Sequence, residues 1–204
     1  MKKSAILAVF LIAAVAIGTA VYFIPTGDNE TESASKSEDF GIERTTSSVD
    51  YNGNGTDDYT DILIDARKDA EAMPKYDGSY VAGGYPPDNI GVCTDLVWRA
   101  FKEAGYSLKD MLDDDIAAYP DDYPNASPAD PNIDFRRVKN LRVFFDKYAQ
   151  KLTCDVNDIA AFQAGDIVVF GDDKHIGIVS DKRDSDGVRS CYITPIRKSV
   201  SRSI

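Results

Sequence analysis

Two side chains in this sequence have the chemistry of a nucleophile and a general base. The first is Cys93, which lies where a loop turns into an amphipathic pattern, in Gly-Val-Cys-Thr-Asp-Leu-Val-Trp. The positive end of a helix dipole lowers the pKa of a nearby thiol, and the thiolate is the reactive form of cysteine. The sequence therefore predicts an activated thiol at Cys93. The alternative is a buried cysteine that acts as a small hydrophobic residue.

The second side chain is His175, the one histidine of the chain. It opens the segment Lys-His-Ile-Gly-Ile-Val-Ser-Asp, which has the composition of a strand. An imidazole at the rim of a sheet can face a helix N-terminus across a cleft. A histidine that reaches Cys93 would complete the minimal set of groups for acyl transfer. The alternative is a solvent-facing histidine without a role.

Three segments of the chain, in this order, resemble the NlpC-type hydrolases of the papain-like superfamily. Gly-Val-Cys-Thr-Asp-Leu-Val-Trp-Arg-Ala-Phe resembles their catalytic cysteine helix, Gly-Asp-Ile-Val-Val-Phe their first strand and Lys-His-Ile-Gly-Ile-Val-Ser-Asp their histidine strand. The segment from Asp130 to Val138, with Asn140 and Leu141, resembles the bacterial domain-of-unknown-function 1287 family within that group. The resemblance covers roughly residues 50 to 188.

The resemblance implies specific roles for these residues. Cys93 would be the nucleophile, His175 the base, and the backbone N–H of Cys93 would help to bind the oxyanion. By analogy, the substrate would be an amide in peptidoglycan stem or cross-bridge peptides. Where the family has a strand containing His-Asn, this chain has Ser190 to Ile196, so the sequence identifies no third catalytic residue. Two other functions stay open: a non-catalytic, calcium-stabilised, membrane-tethered binding or scaffold domain, and a thioester-handling transferase.

Charged residues near the two candidates are predicted to bind substrate. Asp95 lies in the same helical turn as Cys93, and Arg136 and Arg137 belong to the segment that resembles the narrower family. We predict that Asp95 and Arg137 hold charged groups of the substrate. An internal ion pair between Asp95 and one of the arginines is the alternative.

A calcium-type loop precedes the first predicted helix. Oxygen-bearing residues stand at positions 1, 3, 5, 7, 9 and 12 of a twelve-residue segment, with Gly55 at position 6, as in loops that bind Ca²⁺. We expect this site to be structural and to tie the preceding segment to the domain. An Asn- and Gly-rich turn that merely caps the next helix is the alternative. The predicted ligands are Asp50, Asn52, Asn54, Thr56, Asp58 and Asp61.

The N-terminal region carries the signal of a membrane segment. Lys2 and Lys3 precede an apolar run from Ala5 to Ile24 without a charge, about the length that crosses a bilayer as a helix. We predict a single-pass anchor over residues 1–24, with everything after it outside the cytoplasm. A secreted form after signal cleavage is the alternative. The polar composition of residues 25–48 predicts a disordered linker.

The remaining chain predicts an α+β fold in which papain-like (NlpC-type) helices pack on an antiparallel sheet. Residues 49–61 form the calcium-type loop, 62–196 the papain-like domain and 197–204 an atypical tail, for which a truncated or frame-shifted terminus is an alternative. Apolar residues at helical spacing predict helices, β-branched runs predict strands, and an Asp- and Pro-rich stretch predicts a long loop. The helices are expected over 57–73, 93–104, from 107 onward and over 135–152, the loop over 113–134, and the strands over 166–170, 175–180 and 189–194.

Charge and cysteine content exclude some functions. The chain of 204 residues has 23 Lys and Arg against 34 Asp and Glu, a formal net charge of -11. Nucleic-acid binding depends on clustered basic residues, so we expect no nucleic-acid partner. The three cysteines are too few for a disulfide scaffold. A Cys154–Cys191 disulfide that leaves Cys93 free is an alternative that the sequence leaves open.

Overall fold

The computed structural model describes residues 14–17, 37–155, 157–183, 185–186 and 189–192, with the side chains of 14–17 and 190–192 excepted. The described residues form a mixed α/β fold of four α-helices and two small sheets. The helices are α1 (Asp58–Ala72), α2 (Cys93–Glu103), α3 (Leu108–Ala118) and α4 (Val138–Tyr148). The strands are β1 (Ala14–Ile17), β2 (Lys75–Tyr76), β3 (Ile90–Gly91), β4 (Gln150–Lys151), β5 (Ile167–Phe170), β6 (His175–Arg183) and β7 (Arg189–Tyr192).

The larger sheet has the strand order β4-β1-β5-β6-β7. Strand β6 pairs with β5 and with β7 in antiparallel fashion, as the sequence predicts. The other edge differs from the prediction, because β1 runs parallel to both β4 and β5. The smaller sheet consists of β2 and β3, which pair in parallel just before α2. The larger sheet is therefore mixed, and its antiparallel part lies around β6.

The predicted membrane helix over Ala5 to Ile24 lies mostly outside the described residues. Its described part is β1, which is paired with Ile167 to Val169 of β5. In the part of the chain that the structure describes, no helix is long and apolar enough to cross a membrane. The tail from residue 197 and the side chain of Cys191 lie outside the description, and the linker enters it only at Ser37.

Helix α1 follows from its cap and its apolar face. Asp57, in extended conformation, accepts a hydrogen bond from the backbone N–H of Thr60 and so satisfies a free donor at the helix start. Ile62, Leu63 and Ala66 of its apolar face are buried. The predicted helix is confirmed here, and it ends at Ala72.

Helix α2 is the centre of the core. Leu96, Val97, Ala100 and Phe101 are completely buried, which confirms the apolar face predicted for this segment. Gly105 follows the helix with a φ of 92°, a conformation that glycine adopts without the strain of a Cβ atom, and it ends the helix where the sequence predicts. Because α2 packs against both α1 and β6, its first residue faces the sheet.

The predicted bounds of α3, α4 and β6 are wrong. Helix α3 continues to Ala118, since Leu112 and Ile116 are buried one helical turn apart, so the predicted loop begins after residue 118 rather than at 113. Strand β6 ends at residue 183 rather than at 180. Helix α4 ends at residue 148 rather than at 152, because β4 follows it, and it begins at Val138 rather than at residue 135. Residues Asp134–Arg136 form a separate 3₁₀ turn there, and Arg137 is extended.

The loop between β2 and β3 packs against the segment that precedes α4. The Gly83 N–H donates to the side-chain oxygen of Asn132 at 3.0 Å. The Tyr85 ring lies 4.9 Å from the Trp98 ring and 5.4 Å from the Phe135 ring, measured between centroids. Gly84 makes this close approach feasible, because a Cβ atom there would lie 2.8 Å from Cε1 of Phe135.

Gly84→Ala should therefore destabilise the domain more than Gly83→Ala. Both glycines have positive φ, 85° and 89°, but a Cβ atom at Gly83 would meet nothing within 4 Å. We expect a loss of about 1 kcal/mol for Gly83→Ala from backbone strain, and about 2–4 kcal/mol for Gly84→Ala from strain plus overpacking. Urea denaturation measures both. Equal losses would mean that the Phe135 contact does not constrain this loop.

Candidate functional site

Cys93 is the first residue of α2 and is nearly buried. Val92 precedes it in extended conformation, and the Val92 N–H donates to Oδ2 of Asp95 at 2.7 Å. This side-chain bond at the helix start fixes the direction in which the chain enters α2. The thiol is 4% exposed and forms no disulfide. The sequence prediction that Cys93 lies at a helix N-terminus is confirmed.

His175 opens β6, directly after a tight turn from β5. Residues 171–173 of the turn all have positive φ, between 55° and 65°, and His175 pairs with Phe170 across the two strands. The rings of these two residues stack, with centroids 5.6 Å apart. Arg142 of α4 donates to Asp173 at 3.0 Å, which ties the turn to the helical layer. The position of the imidazole is therefore set by strand pairing, ring stacking and this ion pair.

The packing of α2 on β6 brings the Cys93 thiol to the strand that His175 opens. The backbone N–H of Ile176, the residue after His175, donates a hydrogen bond to the Cys93 sulfur. The Nδ1 atom of His175 is buried, and it has no hydrogen-bond partner among the residues that the structure describes. The structure therefore brings the Cys93 thiol to the start of the strand that His175 opens, and it shows no third residue bonded to Nδ1 within the described chain.

Burial controls the ionisation of both groups. It raises the pKa of the Cys93 thiol, and the Asp95 carboxylate adds to this, although the N–H groups of Ile176, Thr94 and Cys93 itself act in the opposite direction. The expectation that the helix N-terminus yields a lowered thiol pKa is therefore wrong, since desolvation is the larger effect. Burial also lowers the pKa of His175 below its ordinary value.

These two shifts make the resting pair neutral near pH 7. A lowered pKa leaves the imidazole unprotonated at neutral pH, and a raised pKa leaves the thiol protonated. An unprotonated imidazole beside a protonated thiol can act as a general base that removes the proton as the sulfur attacks. The arrangement is chemically suited to this concerted activation and not to a preformed thiolate–imidazolium pair.

Asp95 forms the internal ion pair that the sequence left open as an alternative. Its two oxygens accept bonds from Nε and Nη2 of Arg136 at 2.8 and 2.9 Å, and both side chains are almost completely buried. Trp98 donates to the same carboxylate at 2.8 Å. Thr94 then donates to the Arg136 carbonyl at 3.0 Å. In the structure, Asp95 holds the start of α2 against the residues before α4.

Arg137 is placed differently from Arg136. Its guanidinium donates to the carbonyl of Asn125 and, at 2.9 Å, to the carboxylate of Asp134, while 41% of its side chain is exposed. A substrate-binding role for Arg137 stays a prediction.

Sequence reasoning missed Tyr76, which the parallel pairing of β2 with β3 places opposite Gly91, two residues before Cys93. Burial raises the pKa of its hydroxyl, and the nearby Cys93 and Asp95 raise it further. A two-residue strand has no periodicity, so no pattern in the sequence indicates this pairing.

The predicted calcium loop folds back on itself. Asp50 accepts bonds from the N–H groups of Asn54 and Gly55, at 3.1 and 2.9 Å. The side-chain amides of Asn52 and Asn54 both donate to Oδ2 of Asp61, at 2.8 and 3.0 Å. Four of the six predicted ligands, those at positions 1, 3, 5 and 12, therefore form hydrogen bonds with one another, through side chains or through the backbone.

The other two predicted ligands, Asp58 and Thr56, also form hydrogen bonds within the protein. Both oxygens of Asp58 are occupied by protein donors, the Tyr51 N–H at 2.9 Å and the Tyr106 hydroxyl at 2.6 Å. Thr56 donates its N–H to Asn54. Across the described residues, no group of three or more His, Cys, Asp and Glu side chains is arranged to hold a metal ion. To bind Ca²⁺, the amides of Asn52 and Asn54 would have to turn their oxygens toward Asp61.

A comparison with known proteins identifies the family. A family model described as "Domain of unknown function (DUF1287)" matches residues 63–195. The chain belongs to this family. The family membership expected from the segment Asp130 to Val138, with Asn140 and Leu141, is therefore confirmed, while the wider NlpC-type placement expected from the Cys93 and His175 segments stays a prediction.

One relative and the solved structures add little about function. An Escherichia coli (strain K12) protein described as "Uncharacterized protein YijF" is 36% identical over 136 residues. The match covers 62% of this chain and 66% of that protein, so this chain spans just under two thirds of the relative's length. No solved structure matches the chain.

Removal of the buried cation at Arg136 should strongly destabilise this DUF1287 domain. Arg136→Met leaves the Asp95 carboxylate buried and without its charged partner, so we expect a loss of about 3–5 kcal/mol in the free energy of unfolding. Lys68→Met is the matched control, because Lys68 pairs with Asp65 but is 75% exposed. Its loss should be below about 1 kcal/mol. Similar losses for the two variants in urea denaturation would contradict a structural role for the Asp95–Arg136 pair.

Proposed function

We propose that this chain is a cysteine hydrolase that cleaves amide bonds, with Cys93 as nucleophile and His175 as general base. The observation that carries this proposal is the hydrogen bond from the Ile176 N–H to the Cys93 sulfur. Nucleophilic acyl transfer requires a base within reach of the thiol, and this bond brings the Cys93 thiol to the start of the strand that His175 opens. Both groups also lie at the ends of packed elements, which hold them without the help of a flexible loop.

The chemical steps follow from the neutral pair. His175 accepts the thiol proton while the Cys93 sulfur forms a bond to the carbonyl carbon, and the backbone N–H of Cys93 helps to stabilise the oxyanion. His175 then donates the proton to the amine as the C–N bond breaks, which leaves a thioester on Cys93. Water, deprotonated by His175, hydrolyses this thioester and restores the thiol. A transferase would differ only in the acceptor of the acyl group.

The proposed fold family and substrate rest on the order of the elements and on the resemblance to NlpC-type enzymes. A helix that begins with the cysteine, followed by antiparallel strands of which one begins with the histidine, supports a papain-like domain. The resemblance implies an amide in a peptidoglycan peptide as the substrate. The net charge of -11 supports a partner other than nucleic acid.

We place this activity outside the cytoplasmic membrane. The support is the run from Ala5 to Ile24, which is apolar, without charges and preceded by Lys2 and Lys3. Residues 14–17 cannot be part of a membrane helix and of the sheet at the same time. The proposal therefore implies that the β5 edge occupied by β1 is open in the anchored chain.

A second candidate function is a non-catalytic binding or scaffold domain. Two observations favour it: the raised pKa of Cys93, and the absence of a partner on Nδ1 of His175 within the described residues. In papain-like chemistry a polar residue orients the imidazole, and none does so in this part of the chain. The two functions differ in whether His175 controls the reactivity of Cys93.

Alkylation of Cys93 by iodoacetamide separates the two functions. In the full chain at pH 7, we expect His175→Gln to slow Cys93 alkylation at least about tenfold, because the base that removes the thiol proton is lost. Lys174→Gln, on the exposed neighbour of His175 in the same turn, should leave the rate unchanged. Peptide mass spectrometry assigns the label to Cys93.

The pH profile should follow the lowered pKa of His175. The imidazole is the active base above its pKa, so the wild-type rate should fall on acidification with a midpoint below the ordinary histidine value of about 6.5. In His175→Gln, the alkylation rate should rise only at the alkaline pH at which the buried Cys93 thiol ionises. If the wild type and His175→Gln share one profile, Cys93 is not activated and the non-catalytic function stands.

We also propose that the loop from Asp50 to Asp61 binds Ca²⁺ as a structural ion. Support comes from the convergence of Asn52 and Asn54 on Asp61, and from the stacking of the Tyr51 and Tyr106 rings, whose centroids are 4.4 Å apart. The second contact joins the loop to the residues that follow α2. An ion in the loop would thus stabilise the helix that carries Cys93.

Thermal unfolding with and without calcium tests this site. At a Ca²⁺ concentration about a hundredfold above Kd, binding to the folded state adds about 2.7 kcal/mol, which raises the Tm by roughly 5–10 °C. Asp50→Asn should abolish the shift, whereas Glu71→Gln, which removes an exposed carboxylate from α1 outside the loop, should keep it. Equal shifts with Mg²⁺, or a shift that survives Asp50→Asn, would contradict a calcium loop.

A further inference from the structure

The segment around Tyr76 is held beside the start of α2. In the small sheet, Tyr76 pairs with Gly91 and Lys75 pairs with Ile90. The Lys75 N–H donates to the Asn89 carbonyl at 2.9 Å, and the Asp77 N–H donates to the Gly91 carbonyl at 3.1 Å. Two hydrogen bonds that flank Tyr76 therefore fix it next to the residues that lead into Cys93.

The packing that follows Tyr76 keeps this segment against α2. A Cβ atom at Gly78 would lie 3.5 Å from Cγ1 of Val92, the residue directly before Cys93. Arg99 of α2 donates to the Ile90 carbonyl at 2.8 Å, so the helix also holds β3. The contact of Gly78 with Val92 and the bond from Arg99 to Ile90 therefore hold the small sheet, and with it Tyr76, near the start of α2.

A Cβ atom at Gly91, the pairing partner of Tyr76, would lie 3.2 Å from Cβ of Asp95, so the Tyr76 side chain belongs to the face of the small sheet that α2 covers. Tyr76 is 36% exposed, whereas Cys93 is 4% exposed. Among the residues that the structure describes, its hydroxyl has no hydrogen-bond partner. Its pKa is raised by burial and by the charges of Cys93 and Asp95, so it remains a neutral donor throughout the range in which the thiol ionises.

We propose that Tyr76 is a positioning residue of the Cys93 site, whose hydroxyl donates a hydrogen bond to the Cys93 thiolate as it forms. The inference rests on the proposed cysteine chemistry and names a residue that acts on it. A donor to the charged form of an acid favours that form. Tyr76 therefore offsets part of the desolvation that disfavours the thiolate in this buried position.

The other charged and titratable groups around Cys93 act differently. Asp95 on α2 disfavours the thiolate, although its charge is neutralised by Arg136. His175 on β6 accepts the thiol proton and is neutral near pH 7. Tyr76 on β2 carries a neutral hydroxyl on the face of the small sheet toward α2, so its removal should change the thiolate population without changing the charge of the site.

The test is the pH dependence of Cys93 alkylation by iodoacetamide in the full chain. Tyr76→Phe should move the alkaline midpoint of the profile upward by about one pH unit, which is roughly a tenfold lower thiolate population at a fixed pH below it. Tyr76→Ala should move it in the same direction, since both variants lose the hydroxyl. Tyr80→Phe is the control, because the Tyr80 hydroxyl bonds Asn132 at 2.7 Å and not the Cys93 site.

The outcomes separate this inference from the proposed function. If His175→Gln slows alkylation but Tyr76→Phe leaves the midpoint unchanged or lowers it, Tyr76 does not position the thiolate. The inference is then overturned, while the proposed function stands. If His175→Gln has no effect, the hydrolase proposal fails whatever Tyr76 does. A midpoint shift in Tyr80→Phe equal to that in Tyr76→Phe would also overturn the inference, since it would reflect a general change of the loop.

Discussion

The site depends on one buried ion pair, Asp95–Arg136. Its two charge-assisted hydrogen bonds join the first turn of α2 to the segment before α4, and Asp95 also accepts the N–H of Val92 and the indole N–H of Trp98. Arg136 donates in addition to the carbonyl of Ser79 in the loop before Cys93. A buried pair of this kind is costly to break, because either partner alone would be an uncompensated charge. The orientation of Cys93 is therefore coupled to two other parts of the chain, the segment at Arg136 and the loop at Ser79.

The same burial that makes this pair strong also determines the chemistry of the thiol. Water is excluded from Cys93, so its charged form is disfavoured even at a helix N-terminus. His175 experiences the same exclusion, and its charged form is disfavoured as well. A catalytic pair in such a place works by transferring a proton during attack, with neutral groups before and after. Nearby donors such as the N–H of Ile176 then matter more than they would in water.

Much of the fold is readable from the chain. The caps at Asp57 and Ser107, the apolar spacing of α1 and α2, and the glycine after α2 predict where those helices begin or end. The Gly-Asp-Asp-Lys turn predicts the hairpin that carries His175. The failures have local causes. Three consecutive aspartates, Asp113 to Asp115, disguise a helix whose Leu112 and Ile116 are buried. In the 3₁₀ turn before α4, Phe135 stands three residues before Val138 and so continues the apolar spacing of the helix.

The sequence by itself determined the two candidate catalytic residues, because a cysteine at a helix start and a single histidine at a strand start are local features. It also determined the family, because ordered motifs persist in the chain. Only the tertiary structure decided that Asp95 pairs internally with Arg136, that Tyr76 lies opposite Gly91 before the start of α2, and that the thiol is harder to ionise than an exposed one. Each of these depends on which segments meet across the fold and on how much water they exclude, and neither quantity is encoded at a single position.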